Sequence, residues 1–216
     1  MIKINYTEVF GWQAAIRGMR NPMNSHHLSD SNLPTIGSKD LDLMKRLVKA
    51  GSDHSKFMRF IIVTCDITAP FYWWKEYDTY KVGTVANSTS TMHKIHSQEF
   101  DDDDFSHEHL IGGGVALEPG SYFEFENEMF TAGGALNVII DALNHYRKKY
   151  LETKDKKYWW QMIQLLPTSY NQKRTVLLNY AVLRNMYHAR KNHKLDEWRA
   201  FCKWVETLPY SELITN

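Results

Sequence analysis

The sequence predicts a helix-rich α+β fold with a small buried sheet. Three observations predict it: repeated segments with apolar residues at helical spacing, one β-branched run with the period of a strand, and glycine or proline at the boundaries between them. The 216 residues, 43% hydrophobic and 24% charged, exclude a disordered or fibrous chain. They suffice for one domain, expected to span residues 1–216.

Residues 12–19 have helical character, ended by Asn21-Pro22 because the residue before a proline avoids the helical region. A polar loop rich in Ser, Asn and His runs to Ser38. Residues 40–50 form an amphipathic helix, with Leu41, Met44, Leu47 and Val48 on one stripe and Gly51 as its stop. Residues 60–67 are almost continuously apolar through Cys65, which predicts a strand buried on both faces. Pro70 suits the first turn of a helix over 71–81, followed by a hydroxyl-rich loop or irregular strand over 83–91. A polar, acidic stretch covers 93–109, and 122–125 reads as a short strand. Helices are expected at 132–151, with Leu136, Ile139, Ile140, Leu143 and Tyr146 inward, at 158–166 up to Pro167, at 175–189, and at 195–207.

Lysine plus arginine (26) nearly cancels aspartate plus glutamate (25). Binding to duplex nucleic acid, which calls for a basic excess, is therefore not expected. No apolar run approaches the roughly 18–20 residues that span a bilayer, and the N-terminus lacks the apolar stretch of a signal peptide. Two separated cysteines in apolar surroundings suit buried thiols in a reducing cytoplasm. Aromatics reach 13%, with seven tryptophans and twelve tyrosines, which fits a filled core plus an oligomer interface, or a ring-stacking pocket.

The cluster His93, His96, Asp101 to Asp104, His107, Glu108 and His109 has metal-ligating residue types. Its spacings match no closed zinc pattern, and adjacent aspartates repel, so it reads as a solvated acidic loop with no metal expected. No nucleophile elbow is present, neither cysteine has a cationic neighbour that would activate it, and Gly112 to Gly114 lacks a phosphate loop's frame and reads as a flexible turn. More informative is the strand–helix–loop unit over residues 54–95. Its helix carries Trp73, Trp74, Lys75, Glu76, Tyr77 and Lys81 before a Ser/Thr/Asn-rich loop. Such a unit can hold a nucleotide, its rings stacking the base while lysines and hydroxyls meet the phosphate.

This unit resembles the signature region of the flavin-dependent thymidylate synthases. His54 stands at that family's histidine, Ala69-Pro70 at its strand-to-helix junction, Leu166-Pro167 at its Leu-Pro break, Thr175-Val176 at the opening of its next helix, and Glu197-Trp198-Arg199 at its Glu-Ile-Arg. Ala14-Ala15-Ile16-Arg17 resembles the Ala-Ala-Arg of its first helix. The resemblance touches most of the chain and leaves a divergent acidic insertion at 98–128.

The resemblance implies a flavin-dependent thymidylate synthase-like fold, a homotetramer, and sites for FAD and for deoxyuridylate. The positions it assigns to the cofactor are His54, Thr79, Tyr80, Lys81, Thr84 and Asn87. For the nucleotide it points to Glu76, Thr89, Thr91, His188 and Arg190, to which Trp74 as a ring and Lys75 and Arg184 as cations are added as candidates. The family's Arg-His-Arg here reads Thr79-Tyr80-Lys81, its serine is Thr89, its glutamine is Glu76, and its Asn-x-Arg is Leu177-Leu178-Asn179. Losing about three charge-assisted phosphate contacts, at roughly 1.5–3 kcal/mol each, removes about three to six decades of affinity. The expectation is thus a divergent member that binds a nucleotide-type ligand with altered or lost chemistry. The alternatives are an active FAD-dependent enzyme that methylates the uracil ring and a non-enzymatic interaction module.

Overall fold

The computed structural model describes residues 1–216. In chain order its elements are β1 (Lys3–Phe10), α1 (Trp12–Arg20), α2 (Ser38–Lys49), β2 (Ile62–Pro70), α3 (Phe71–Tyr77), β3 (Val85–Ser88), α4 (Thr91–Lys94), β4 (Phe123–Phe125), β5 (Glu128–Phe130), α5 (Ala132–Thr153), α6 (Lys156–Leu165), β6 (Asn171–Asn179), α7 (Tyr180–Arg190), α8 (Asp196–Glu206) and α9 (Glu212–Thr215). A four-stranded sheet has the order β1-β2-β6-β3, and β4 pairs with β5 antiparallel. The fold is α+β and helix-rich, as its sequence predicts. No helix is long and apolar enough to cross a membrane.

The chain divides into two compact units. The first comprises Met1, Thr68–Trp74 and Ser88–Lys173. Its core is built by the apolar side of α5 (Leu136, Ile140, Leu143) together with Met162 of α6, Ile95, Phe100 and Phe105. Helix α5 starts where Thr131 accepts the Gly134 N–H at 3.0 Å, and α6 where Asp155 accepts that of Lys157 at 3.0 Å, so both orphan ends are capped. The aspartate run folds into a turn. Asp101 and Asp104 cap each other's backbone N–H at 3.2 Å, leaving Asp101, Asp102 and Asp103 exposed and Asp104 half-buried. Burial raises the Asp104 carboxyl above its usual range, against the cap bond to Asp101 and with the repulsion of Asp101 and Asp103. Gly112 to Gly114 form a turn in which the Gly112 N–H meets the Val115 carbonyl and the Gly113 N–H that of Leu110, both at 2.9 Å.

The second unit comprises Ile2–Ile67, Lys75–Asn87 and Arg174–Asn216. Apolar stripes on α1 (Ala15, Ile16, Met19), α2 (Met44, Val48), α7 (Leu183, Met186) and α8 (Trp198, Phe201, Val205) are all buried. Between α1 and α2 the polar loop is organised by a buried ion pair. Arg20 donates to Asp40 at 2.6 Å, and the second Asp40 oxygen accepts the hydroxyls of Ser29 and Ser31, both at 2.6 Å.

Three expectations change, and one element is new. Strand β2 begins at Ile62 after a 3-10 turn (Lys56–Phe60), and it alternates buried with half-buried residues, so only one face is sealed. Helix α3 stops at Tyr77, where the Thr79 and Tyr80 N–H groups turn back to the Glu76 and Tyr77 carbonyls at 3.2 and 2.9 Å. Residues 175–179 belong to strand β6, and the helix opens only at Tyr180, where the Asn179 side chain accepts the Val182 N–H at 3.0 Å. Strand β1 is largely exposed and has no counterpart in the sequence reading.

Candidate functional site

Within the second unit, a cavity of about 370 Å³ opens between the turn after α2 and one face of α7. Gly51 adopts φ +110° with open space where a side chain would stand, so the turn brings backbone, Ser52 and Ser55 to the rim. The 3-10 turn supplies Arg59. Helix α7 supplies Ala181, Arg184, Asn185 and His188, spaced i, i+3, i+4 and i+7 along one stripe. No carboxylate lines this cavity.

Two arginines and no acidic side chain line it. Arg184 also donates to the Ile214 carbonyl at 3.1 Å and to that of Asn216, which fixes its direction. Burial lowers its pKa, yet a guanidinium remains charged near neutrality. At His188 burial, then the charges of Arg184 and Lys191, hold the imidazole below its usual pKa and favour the neutral ring. Hydroxyls, an amide and two planar cations suit a phosphate together with a polar ring or sugar.

The positions assigned from the sequence separate into groups. Arg184 and His188 line the cavity. His54 lies between its two serines but is exposed, its N–H bound to the Gly51 carbonyl at 3.1 Å. Glu76, Tyr80 and Arg190 form a closed network on another face of α7. Arg190 donates to Glu76 at 2.8 Å and to the Tyr80 hydroxyl at 2.9 Å. The Thr79 and Thr84 hydroxyls donate to the Glu76 and Tyr80 carbonyls at 2.7 and 2.6 Å, so each is tied to its own turn. Lys75, Lys81 and Asn87 are exposed.

The remainder fall in the first unit. Trp74 as a stacking platform is corrected: it is 1% exposed, and its indole N–H donates to the Gln172 carbonyl at 2.9 Å, which leaves no ring face open. Thr89 and Thr91 line a second cavity of about 390 Å³ with Lys94, Glu99 and Asp104, where mixed charge gives no clear preference for an anion. Both cysteines are buried. Burial, with the Asp66 charge, pushes the Cys65 thiol up to about 12, and burial, with that of Glu206, pushes the Cys202 thiol up to about 11. Neither is an activated nucleophile.

Sequence reasoning missed Arg59, Asn185, Ser52 and Ser55. The spacing of Asn185 beside Arg184 and His188 on a helix was a usable signal. Nothing local marks Arg59, because only the fold brings the 3-10 turn opposite α7.

No family model matches this sequence, and no curated protein does. Solved structures do. A crystal structure of thymidylate synthase X from Helicobacter pylori with FAD and dUMP has a TM-score of 0.68 at 16% identity, over 100% of this chain and 97% of that one. A second, of the flavin-dependent enzyme from the same organism complexed with FAD and dUMP, has a TM-score of 0.69 at 17% identity, over 98% and 97%. The chain has the fold of the flavin-dependent thymidylate synthases.

Proposed function

We propose that the chain binds a phosphorylated, nucleotide-type ligand in the cavity of the second unit, with chemistry altered or lost relative to the enzymes whose fold it shares. The carrying observation is a cavity lined by Arg59, Arg184, Asn185, Ser52 and Ser55 and by no aspartate or glutamate. Arg184 takes the phosphate as a planar fork, Arg59 adds charge from the opposite wall, and Asn185 with the serines meets ribose or base edges. About 370 Å³ lies at the small end of ligand cavities, which span roughly 300–1,000 Å³, and suits a mononucleotide better than a dinucleotide.

The positions carried over to FAD do not fit that cofactor in this chain. Of His54, Thr79, Tyr80, Lys81, Thr84 and Asn87, only Lys81 is a lysine or arginine, the Thr79 and Thr84 hydroxyls donate to carbonyls of their own turn, and the Tyr80 hydroxyl accepts from Arg190. A pyrophosphate needs several donors at once. No step through flavin is therefore assigned. The resemblance to the flavin-dependent thymidylate synthases adds a homotetramer, and the two buried thiols a cytoplasmic setting; a light-scattering mass of one chain removes the tetramer.

The test is a thermal-shift titration with deoxyuridylate and with deoxyuridine. The nucleotide is expected to raise the melting temperature at millimolar concentration while the nucleoside does not, since the phosphate carries the binding. Equal shifts, or none, overturn the proposal.

A further inference from the structure

On the other face of α7 an anion is already in place, and it belongs to the protein. One oxygen of Glu76, Oε2, accepts from the Arg190 guanidinium at 2.8 Å and from the Trp198 indole N–H at 3.0 Å, and it lies 3.3 Å from His193 Nε2. These three groups come from the end of α7, the turn after it and the first turn of α8, one stretch within residues 190–198 that wraps around an atom supplied by the distant α3.

Their directions do not depend on Glu76 alone. The Arg190 Nε–H is held by the Tyr80 hydroxyl at 2.9 Å, and the guanidinium carbon lies 4.9 Å from the Trp198 ring centre and 5.6 Å from that of Tyr80. The His193 ring packs edge-on to Trp198, with centroids 6.3 Å apart. The pair is half-enclosed, with 34% of the Glu76 side chain and 20% of the Arg190 side chain exposed. A guanidinium so placed requires a negative partner, because a partly desolvated charge left alone is unfavourable.

We infer that Arg190, His193 and Trp198 form an anion-binding position which Glu76 fills from within, so that Glu76 is the residue that excludes phosphate there. A carboxylate at that point repels an incoming phosphate and occupies its donors together. The donors would remain if the carboxylate were removed, and one phosphate oxygen would replace Oε2. This inference stands on the geometry around Glu76 and is independent of the proposed cavity ligand.

The experiment is a titration with inorganic phosphate at constant ionic strength, read as bound equivalents by calorimetry and as the Trp198 indole N–H signal by NMR. Glu76→Ala is expected to bind one equivalent more than the unaltered protein, with phosphate affinity at this position raised about tenfold or more and the Trp198 signal shifted. The gain is expected to vanish in Glu76→Ala/Arg190→Ala. Glu76→Gln keeps the volume and removes the charge. If the alanine variant does not fold, a phosphate-dependent rise in the melting temperature of the glutamine variant, larger than in the unaltered protein, reads the same property. Equal stoichiometry and an unmoved Trp198 signal in the variants overturn the inference. One equivalent bound by both proteins sinks this inference and spares the cavity, whereas none in the unaltered protein and one in the variant does the reverse.

Discussion

Arg184 and Arg190 sit six residues apart on one helix, about 240° around its axis at 3.6 residues per turn, and they have opposite fates. Arg184 faces a cavity lined by no aspartate or glutamate and is held by the main-chain oxygens of Ile214 and Asn216, whereas Arg190 is bound to the Glu76 carboxylate, 114 positions earlier in the chain. Both look alike in sequence, an arginine on one amphipathic helix. The difference teaches that availability of a cation is decided by the opposite wall, which a distant segment supplies. A site is an arginine minus its carboxylate.

Arg20 extends the comparison to a third and fully closed case. It is 4% exposed and Asp40 0%, with the Arg20 guanidinium also donating to the Ser25 and Leu28 carbonyls at 3.1 and 3.2 Å. Breaking such a pair from one side leaves an uncompensated buried charge. Asp40→Asn should therefore destabilise the fold by about 3–5 kcal/mol in denaturant titrations, the largest effect expected in this molecule. Burial alone would raise the Asp40 carboxyl, but hydrogen bonds from Ser29 and Ser31 and the Arg20 guanidinium outweigh it and hold it below the usual range. With the folded pKa below an unfolded value near 3.9 (roughly), its stabilisation is complete above about pH 4–5 and is lost as pH falls through the folded pKa. Asp40→Asn should accordingly flatten the acid limb of stability against pH. An unchanged limb would place the acid sensitivity elsewhere.

The open and half-closed arginines separate next, in ligand affinity. Arg59→Ala and Arg184→Ala are each expected to weaken deoxyuridylate binding by about 10- to 150-fold, the equivalent of one charge-assisted contact. Arg190→Ala should leave that affinity within about twofold, since its guanidinium is already bound to Glu76 and Tyr80. Comparable losses from Arg184→Ala and Arg190→Ala would break the comparison. A smaller effect follows from His188, held neutral by burial and by Arg184 and Lys191. A bound phosphate opposes those cations and raises the imidazole pKa, so binding takes up a proton and tightens modestly as pH falls from 7 toward 6. Calorimetry in buffers of different ionisation enthalpy measures that proton, and an affinity that is flat across this range leaves His188 out of the site.

Much of this architecture was legible locally. Leu41, Met44, Leu47 and Val48 announce α2, and the run through Cys65 announces β2, because each buries a stripe of its own period. Strand β1 gave no such signal. Its pattern is exposed almost throughout, and it lies at one end of the sheet order beside β2, so pairing and not burial defines it. Thr175-Val176-Leu177-Leu178 suits a strand or a buried helix equally, and its place between β2 and β3 in the sheet decides the matter. The site divides the same way. Arg184 and His188 were readable as residue types on a helix, but whether Arg190 is open depends on Glu76, and whether Trp74 offers a ring depends on the Gln172 carbonyl. Tertiary partners of that kind leave no local trace.

The smallest test concerns what the two faces of α7 share. Asn179 caps the helix by accepting the Val182 N–H at 3.0 Å, and its side chain stands 2.9 Å from where a Cβ on Gly83 would lie. Gly83 itself has φ +81°, so the turn after α3 passes close to the cap only because that residue lacks a side chain. Asn179→Ala should lower stability by about 1 kcal/mol, with Asn179→Asp restoring most of it, as expected for a lost and regained cap. If α7 is one rigid element carrying an open face and a closed face, the loss is global: deoxyuridylate affinity at the cavity and the Glu76–Arg190 pair should both survive it. An affinity that falls several-fold in Asn179→Ala while stability barely changes would mean that fraying of the first turn moves Ala181 and Arg184. The difference between the two arginines would then reside in how well each end of the helix is held, and not in which carboxylate stands opposite.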